Sequence, residues 1–213
     1  MKDCAPITTV VGVTCGIAVK ADGPHKTLAQ FLDAARADRS RANVGVSGLG
    51  STLHFLAFSF ARDSKADMQV VPFQGGPAMV KNLLGDQLPA AMDGLGVFVQ
   101  HHKGGRVRVL AVSGEQRAVQ LPEVPTFKEL GLPELSFGTA YGLYAPAGTP
   151  PAKIGEWNRA MRKVLANEEV GTRLAAIGYE PWRGSTPAGL TTMTRNMSAH
   201  WAPIIKASGF KGD

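Results

Sequence analysis

Residues 43–113 alternate short β-branched, apolar runs with amphipathic helical segments, and this alternation limits the possible folds more than any other feature of the chain. Strands that alternate with helices favour a mostly parallel sheet with helices on both faces. The sequence therefore predicts an α/β fold. The predicted strands are 43–47, 68–72, 87–92 and 107–113, and the predicted helices are 51–62, 77–84 and 95–102.

The regions on either side of this alternation have a different character. Residues 7–19 are β-branched and predict one long or two short strands. After Ser113 the chain has a proline-punctuated extended segment and one more predicted strand, at 137–144. Three amphipathic helices are then predicted, at 151–166, 168–177 and 187–206. These helices need a sheet to cover, and a single predicted strand does not supply one.

Composition excludes several classes of protein. With 44% hydrophobic and 19% charged residues, the 213-residue chain is too apolar for intrinsic disorder. No apolar run reaches the roughly 18 residues of a membrane helix. The net charge of +6 comes from scattered basic residues without aromatic interleaving, which argues against nucleic acid as a partner.

Cysteine and histidine patterns indicate neither a metal nor a cofactor. Two cysteines, Cys4 and Cys15, are too few for a disulfide framework or a four-cysteine zinc site. We expect both to be buried free thiols, and the alternative is a disulfide bond between them across a hairpin. The five histidines lack metal-ligand spacing.

Residues 45–54 contain the most informative turn, in which a strand, a glycine-rich loop and a helix start follow one another. Helix starts carry unpaired N–H groups and a positive dipole end, so they favour anions, and Ser51 and Thr52 add hydroxyl donors. The run fails the nucleophile-elbow pattern, the dinucleotide-binding glycine spacing and, for lack of a lysine, the Walker A loop. The alternative is that the glycines only shape a tight turn capped by Ser51.

Two further strand ends carry similar features. Residues 71–77 repeat the order of strand, glycine turn and helix start, and turn formation alone is the alternative there. Asp93 ends the next predicted strand, where it is suited either to accept bonds from a ligand or to cap a helix. His54 fits a packed or capping role better than a ligand contact. No catalytic set stands out, which favours binding over catalysis.

Five motifs follow one another in order along the chain. They are 47–54 (SGLGSTLH), 71–78 (VPFQGGPA), 110–113 (LAVS) with Arg117, 121–126 (LPEVPT) and 141–150 (YGLYAPAGTP). This series resembles the Bug family, also called TctC-like receptors, and the similarity extends over essentially the whole chain. These receptors are extracytoplasmic solute-binding proteins of tripartite tricarboxylate transporters.

The resemblance implies a two-lobed periplasmic binding protein of type II, with a small carboxylate held between lobes. This ligand is a di- or tricarboxylate, an amino acid or an aromatic acid, and the membrane components of the transporter are the implied partners. Tyr141 falls where the family usually carries a tryptophan, and Pro89 interrupts a strand that normally lacks proline. The implied ligand-binding residues are Ser47, Gly48, Gly50, Ser51, Thr52, His54, Phe73, Gln74, Gly75, Gly76, Asp93, Gly94 and Tyr141.

The resemblance also implies an incomplete first lobe. Residues 21–114 correspond to a complete lobe two, and residues 1–20 with 115–213 correspond to the remainder of lobe one. The family's signal peptide and first Pro-Phe loop have no counterpart here. Family resemblance implies the periplasm, whereas a true start at Met1 implies the cytoplasm. A truncated form or a homodimer that covers the incomplete lobe is expected.

The sequence thus predicts a solute receptor without chemistry of its own. An orphan module that senses a carboxylate or associates with itself, without a transport role, is the second hypothesis. A small-acid enzyme is the third.

Overall fold

The computed structural model describes residues 3–39 and 42–211, and these form two compact units. Unit 1 contains the chain up to Val13 and Thr139–Pro203, and unit 2 contains Thr14–Gly138 and the residues from Ile204 onward. In chain order the elements are β1 (Cys4–Val13), β2 (Cys15–Lys20), α1 (Leu28–Ala37), β3 (Asn43–Ser47), α2 (Thr52–Asp63), β4 (Gln69–Phe73), α3 (Gly76–Leu84), β5 (Ala90–Gly94), α4 (Val99–Lys103), β6 (Val107–Val112), β7 (Thr139–Pro146), α5 (Pro151–Leu165), α6 (Glu168–Ala176), β8 (Tyr179–Pro181) and α7 (Pro187–Ser208).

Unit 2 is built on a five-stranded sheet in the order β4-β3-β5-β2-β6. Strand β3 pairs in parallel with β4 and β5, while β2 pairs antiparallel with β5 and β6. Four strands therefore run in one direction and β2 opposes them. The α/β class and the mostly parallel sheet are confirmed, but the sheet is mixed at β2.

Helices α2 and α3 of unit 2 begin close to where the sequence predicts them. Thr27 accepts the Gln30 N–H at the start of α1, and Ser51 accepts the His54 N–H at the start of α2. The single helix predicted over 95–102 is instead a 3₁₀ turn at Leu95–Val97 followed by the short α4. Large apolar side chains fill the core of the unit, among them Phe31, Phe60, Phe98, Phe127, Ile17, Met79, Leu83, Met92 and Leu95.

The proline-punctuated segment after Ser113 stays with unit 2. The N–H of Val112 donates to the Pro125 carbonyl at 3.0 Å, and the N–H of Phe127 donates to the Val112 carbonyl at 2.9 Å. Thr126 and Glu129 cap one another's backbone N–H groups, at 3.1 and 2.7 Å. This segment is thus held along β6 rather than forming a free linker.

Unit 1 contains a three-stranded antiparallel sheet in the order β7-β1-β8. Strand β8 has only three residues and was not predicted, because its Tyr-Glu-Pro sequence has no strand pattern. Helix α5 packs on β1, and α6 packs beside β8. The C-terminal helices therefore do have a sheet to cover, although a small one.

The unit boundaries differ from the lobe boundaries that the resemblance implies. Residues 14–20 were expected with lobe one, but β2 is a central strand of the unit 2 sheet. Residues 115–138 were also expected there, yet they group with unit 2 through their bonds to β6. Pairing between strands distant in sequence decides both assignments.

The two cysteines are free thiols. Cys15 is buried, as expected by default, whereas Cys4 is exposed. Within residues 3–39 and 42–211, no helix is both long and apolar enough to cross a membrane.

Candidate ligand-binding site

The carboxyl ends of three neighbouring strands of unit 2 bring most of the expected site residues together. Ser47, the last residue of β3, stands in register with Phe73, the last residue of β4. On the other side of β3, Val46 stands in register with Met92, so that Asp93 follows at the same sheet edge. Ligands of open α/β sheets bind at this edge. The expected residues on β3, β4, β5 and the turns after them all belong to unit 2.

The turn between β3 and α2 presents unpaired donors. Gly48 and Gly50 have φ angles of +89° and +71°, which glycine adopts without steric cost. The Ser51 hydroxyl donates to the Gly48 carbonyl at 2.8 Å and also caps the helix. The first backbone bond of α2 runs from Phe55 N–H to Ser51, so the N–H groups of Thr52 and Leu53 have no partner within the helix.

His54 holds this turn in place. Its Nδ1 accepts the Gly50 N–H at 3.3 Å, and its ring lies 5.8 Å from the ring of Phe210 and 5.3 Å from that of Phe55. Burial lowers the pKa of His54, which favours the neutral ring that this acceptor role needs. The geometry gives His54 a positioning role at the turn.

Phe210 was not singled out in the sequence, although it packs against the same turn. A Cβ added to Gly50 would stand 2.7 Å from the Phe210 ring, so the ring lies directly on the glycine. No local signal could reveal this contact, because about 160 residues separate the two positions. The C-terminal residues of unit 2 therefore help to shape the turn.

The turn between β4 and α3 resembles the turn between β3 and α2, because it too combines a glycine of positive φ with unpaired N–H groups at a helix start. Gly75 has a φ of +93° and its N–H donates to the Phe73 carbonyl at 3.0 Å. The first bond of α3 runs from Met79 N–H to Gly75, and Pro77 has no N–H. The N–H groups of Gly76 and Ala78 therefore have no intrahelical partner. Gln74 is exposed beside them.

Asp93 is a buried carboxyl group at the end of β5, with 4% of its surface exposed. Its Oδ1 accepts the Gly94 N–H at 2.7 Å, while Oδ2 is buried without a hydrogen-bond partner among the described residues. Burial raises the pKa of Asp93, and the neighbouring Ser47 side chain and the Gly94 N–H partly offset this. An unpartnered buried carboxylate oxygen is costly, so it needs an explanation.

Cys15 lies next to this group in the sheet, in register with Gly94. Burial raises the pKa of its thiol to about 12. At neutral pH the sulfur is therefore protonated and poorly nucleophilic. Its burial fits a structural role.

Tyr141 differs from the other expected residues because it lies on β7, in unit 1. Its side chain is 56% exposed and its ring lies 5.9 Å from that of Tyr179, edge to face. In the part of the chain that the structure describes, no group of three or more His, Cys, Asp or Glu side chains is placed to hold a metal ion.

The fold and the donor-rich strand ends define a class of α/β ligand-binding protein. The family model "Tripartite tricarboxylate transporter family receptor" matches residues 1–210, and the chain belongs to this family. A UPF0065 protein from Pseudomonas sp. (strain P51) is 28% identical over 205 residues, which is 96% of this chain and 61% of that protein. The chain thus spans about three fifths of that relative's length.

Two solved structures are similar in fold and moderately similar in sequence. "R. palustris Rpa4515 with adipate" superposes with a TM-score of 0.88 at 26% identity, over 98% of this chain and 69% of that one. MatC from Rhodopseudomonas palustris, with bound malate, gives a TM-score of 0.85 at 25% identity, over 95% and 69%. A TM-score of 0.87 to "Structure of periplasmic binding protein BugD", over 99% of this chain and 71% of that one, confirms a fold of the periplasmic binding protein type.

Proposed function

We propose that this protein is a solute-binding receptor that captures a small carboxylate for a tripartite tricarboxylate transporter, in the periplasm. Its ligand is a di- or tricarboxylate, an amino acid or an aromatic acid. The observation that carries this proposal is the pair of helix starts, α2 and α3, at adjacent strand ends of one sheet. Each start has backbone N–H groups without an intrahelical partner, which suits an anion.

The proposed contacts use backbone more than side chains. A carboxylate at the start of α2 accepts bonds from the N–H and the hydroxyl group of Thr52, on a turn that the Ser51 cap holds in place. At the start of α3 the N–H groups of Gly76 and Ala78 serve the same purpose. Phe73 and Gln74 line the wall beside them. The adipate and malate in the similar structures fit this class of ligand.

A charge placed at the start of α2 tests the proposal. Thr52→Glu puts a carboxylate where a helix tolerates it well, so the variant should fold, but the charge repels a ligand carboxylate. Ala29→Glu is the matched control, because Ala29 is exposed in the first turn of α1. Isothermal titration against a carboxylate panel should show binding that T52E weakens at least tenfold and A29E leaves unchanged.

Two results would contradict the proposal that this protein is a carboxylate receptor. No heat with any acid of the panel would overturn it, and so would T52E that binds like the wild type. Conversion of an acid during incubation, detected by NMR and lost in Ser47→Ala, would favour the small-acid enzyme. Carboxylate binding without uptake, when the full transporter is reconstituted around this chain, would favour the orphan sensing module.

Self-association stays a prediction. Unit 1 exposes the large apolar side chains of Trp157, Val164, Ile177 and Trp182, which a partner surface would cover. Sedimentation equilibrium tests this directly. A homodimer at micromolar concentration would support it, and a monomer across the accessible range would contradict it.

A further inference from the structure

A groove on the surface of unit 2 runs along α3, and residues from 97–106 form its other side. The residues that α3 contributes are 77, 80, 81 and 84, which share one face of a helix. The cavity has a volume of about 480 Å³. Because small-molecule sites occupy roughly 300–1,000 Å³, the groove is large enough for a compact organic molecule. Its lining includes none of the residues assigned to the site at the strand ends.

Most of the groove surface is apolar. Val80 is buried and belongs to the core cluster of unit 2, and Leu84 and Val97 are partly buried side chains that pack against that cluster. Pro77 completes the apolar lining at the start of α3. Since Leu84 and Val97 are still partly in water, a ligand that covers them would gain free energy from their burial.

The polar part of the lining is basic. Lys81 and Arg106 both line the groove and are exposed. The ion pairs among the described residues include neither of them. The Arg106 N–H donates to the His101 carbonyl at 2.9 Å, which holds Arg106 beside the third polar residue of the lining. Two cations without an ion-pair partner therefore stand next to one apolar surface.

No carboxylate of the protein balances this charge within the groove, since none of the lining residues is acidic. Asp86, which follows α3, pairs with Lys20 at 2.6 Å, and Glu123 lies 3.1 Å from the His102 ring. The groove is thus complementary to an anion that carries an apolar body. Its size favours a small free acid over a protein segment, because stable protein interfaces bury a far larger surface.

We propose that this groove is a second binding site of unit 2, for a small monocarboxylate with an apolar body. The carboxylate group lies at Lys81 and Arg106, and the apolar body covers Val80, Leu84 and Val97. The site uses a different part of α3 from the carboxylate site at the strand ends, so neither proposal depends on the other.

Three probes test the proposal on the full chain without any substitution. Octylammonium has the alkyl chain of octanoate and the opposite charge, and butyrate has the same carboxylate with less apolar surface. Titration calorimetry should show that octanoate binds at least tenfold more tightly than either. Equal affinity for octanoate and one of the other two probes would overturn the proposal, and so would the absence of octanoate binding.

A charge reversal in the groove tests the role of the cations. Lys81→Glu changes an exposed position of α3, so the variant should fold, and it should weaken octanoate binding at least fivefold. Lys103→Glu is the matched control, because Lys103 is an exposed lysine of α4 that does not line the groove. It should change the affinity less than twofold. Equal weakening by the two variants would show that only the overall charge matters and would overturn the site.

Backbone amide NMR locates the bound octanoate. The chemical-shift changes should concentrate at residues 77–84 and 97–106. Changes concentrated at residues 48–54 would place octanoate at the strand ends, which would overturn the second site and support the proposed receptor. Changes concentrated in unit 1 would also overturn the second site, and they would leave the proposed receptor unaffected.

Discussion

The side-chain amide of Asn158, on α5, donates a hydrogen bond of 2.9 Å to the backbone carbonyl of Ile7, on β1. The pairing of β1 with β7 shifts its register at Ile7 and again at Val10, which leaves backbone groups without a strand partner. Asn158 satisfies the Ile7 carbonyl, the Ser185 hydroxyl accepts the Thr9 N–H at 2.9 Å, and the Trp182 N–H reaches the Val10 carbonyl at 2.9 Å. Buried polar contacts thus hold an irregular strand in unit 1.

Replacing Asn158 by leucine should destabilise the protein. Asn158→Leu removes the buried amide that donates to the Ile7 and Ser185 carbonyls, so the free energy of unfolding should fall by about 1–3 kcal/mol. Urea unfolding followed by tryptophan fluorescence measures the change. Asn196→Leu, at an exposed position of α7, should stay within about 0.5 kcal/mol of the wild type. Equal effects of the two variants would contradict the role given to Asn158.

The Ser51 cap should serve both stability and ligand binding. Ser51→Ala removes the acceptor for the His54 N–H, which should cost about 0.5–2 kcal/mol of stability. Thr27→Ala removes the equivalent cap of α1 and should cost a similar amount. Carboxylate affinity, measured by titration calorimetry, should fall in S51A and stay unchanged in T27A. A loss of affinity in both would indicate that reduced stability alone is the cause.

The ion pair of Arg117 with Glu129 should make stability depend on acid pH. The Arg117 guanidinium, 2.8 Å from Glu129 Oε1, and the Thr126 N–H lower the pKa of Glu129 to about 2. Because this pKa is below its ordinary value of 4.5, the contribution is complete above about pH 4.5 and disappears as the pH falls toward 2. Glu129→Gln should therefore be less stable than the wild type at pH 7, and the difference should shrink in acid.

Urea midpoints at a series of pH values measure this effect. Glu156→Gln is the comparison, because its carboxylate pairs with Lys153 on an exposed helix face. A difference between E129Q and the wild type that stays constant from pH 7 to pH 2.5 would show that the ion pair does not carry the effect.

Asp93 should produce the opposite pH dependence. Burial raises its pKa in the folded state above the unfolded value, so the folded protein binds more protons between the two values. Its contribution to stability is therefore most favourable at acid pH and declines as the pH rises through the folded-state pKa. Without ligand, Asp93→Asn should be more stable than the wild type at pH 7, by about 0.5–2 kcal/mol, and should lose this advantage in acid.

Thermal unfolding of both proteins at several pH values checks this sign. A D93N variant that is less stable than the wild type at pH 7 would show that the contacts of Ser47 and Gly94 with the carboxylate outweigh the cost of burying its charge.

Local sequence patterns predicted much of unit 2 and its candidate site. The caps at Thr27 and Ser51 and the glycine turns after β3 and β4 depend on nearest neighbours, so residue type alone indicates them. The predicted parallel strands followed from the same short-range alternation. The motif series extended this to the family, which matches residues 1–210.

The features that the sequence missed are those that depend on distant residues. The three-residue strand β8 exists only because β1 offers it a partner, and β2 joins unit 2 through pairs with β5 and β6. The contact of the Phe210 ring with Gly50 also joins residues that are far apart in the sequence.

By itself the sequence determined the α/β class, the helix starts and the residue types at the strand ends, because φ preferences, caps and hydrophobic period act over a few residues. Tertiary structure alone decided that Asp93 is buried with one oxygen unpaired, and that His54 serves the Gly50 turn. Burial and hydrogen-bond partnership are properties of the surroundings, and in this chain those surroundings come from strands and helices far apart in sequence.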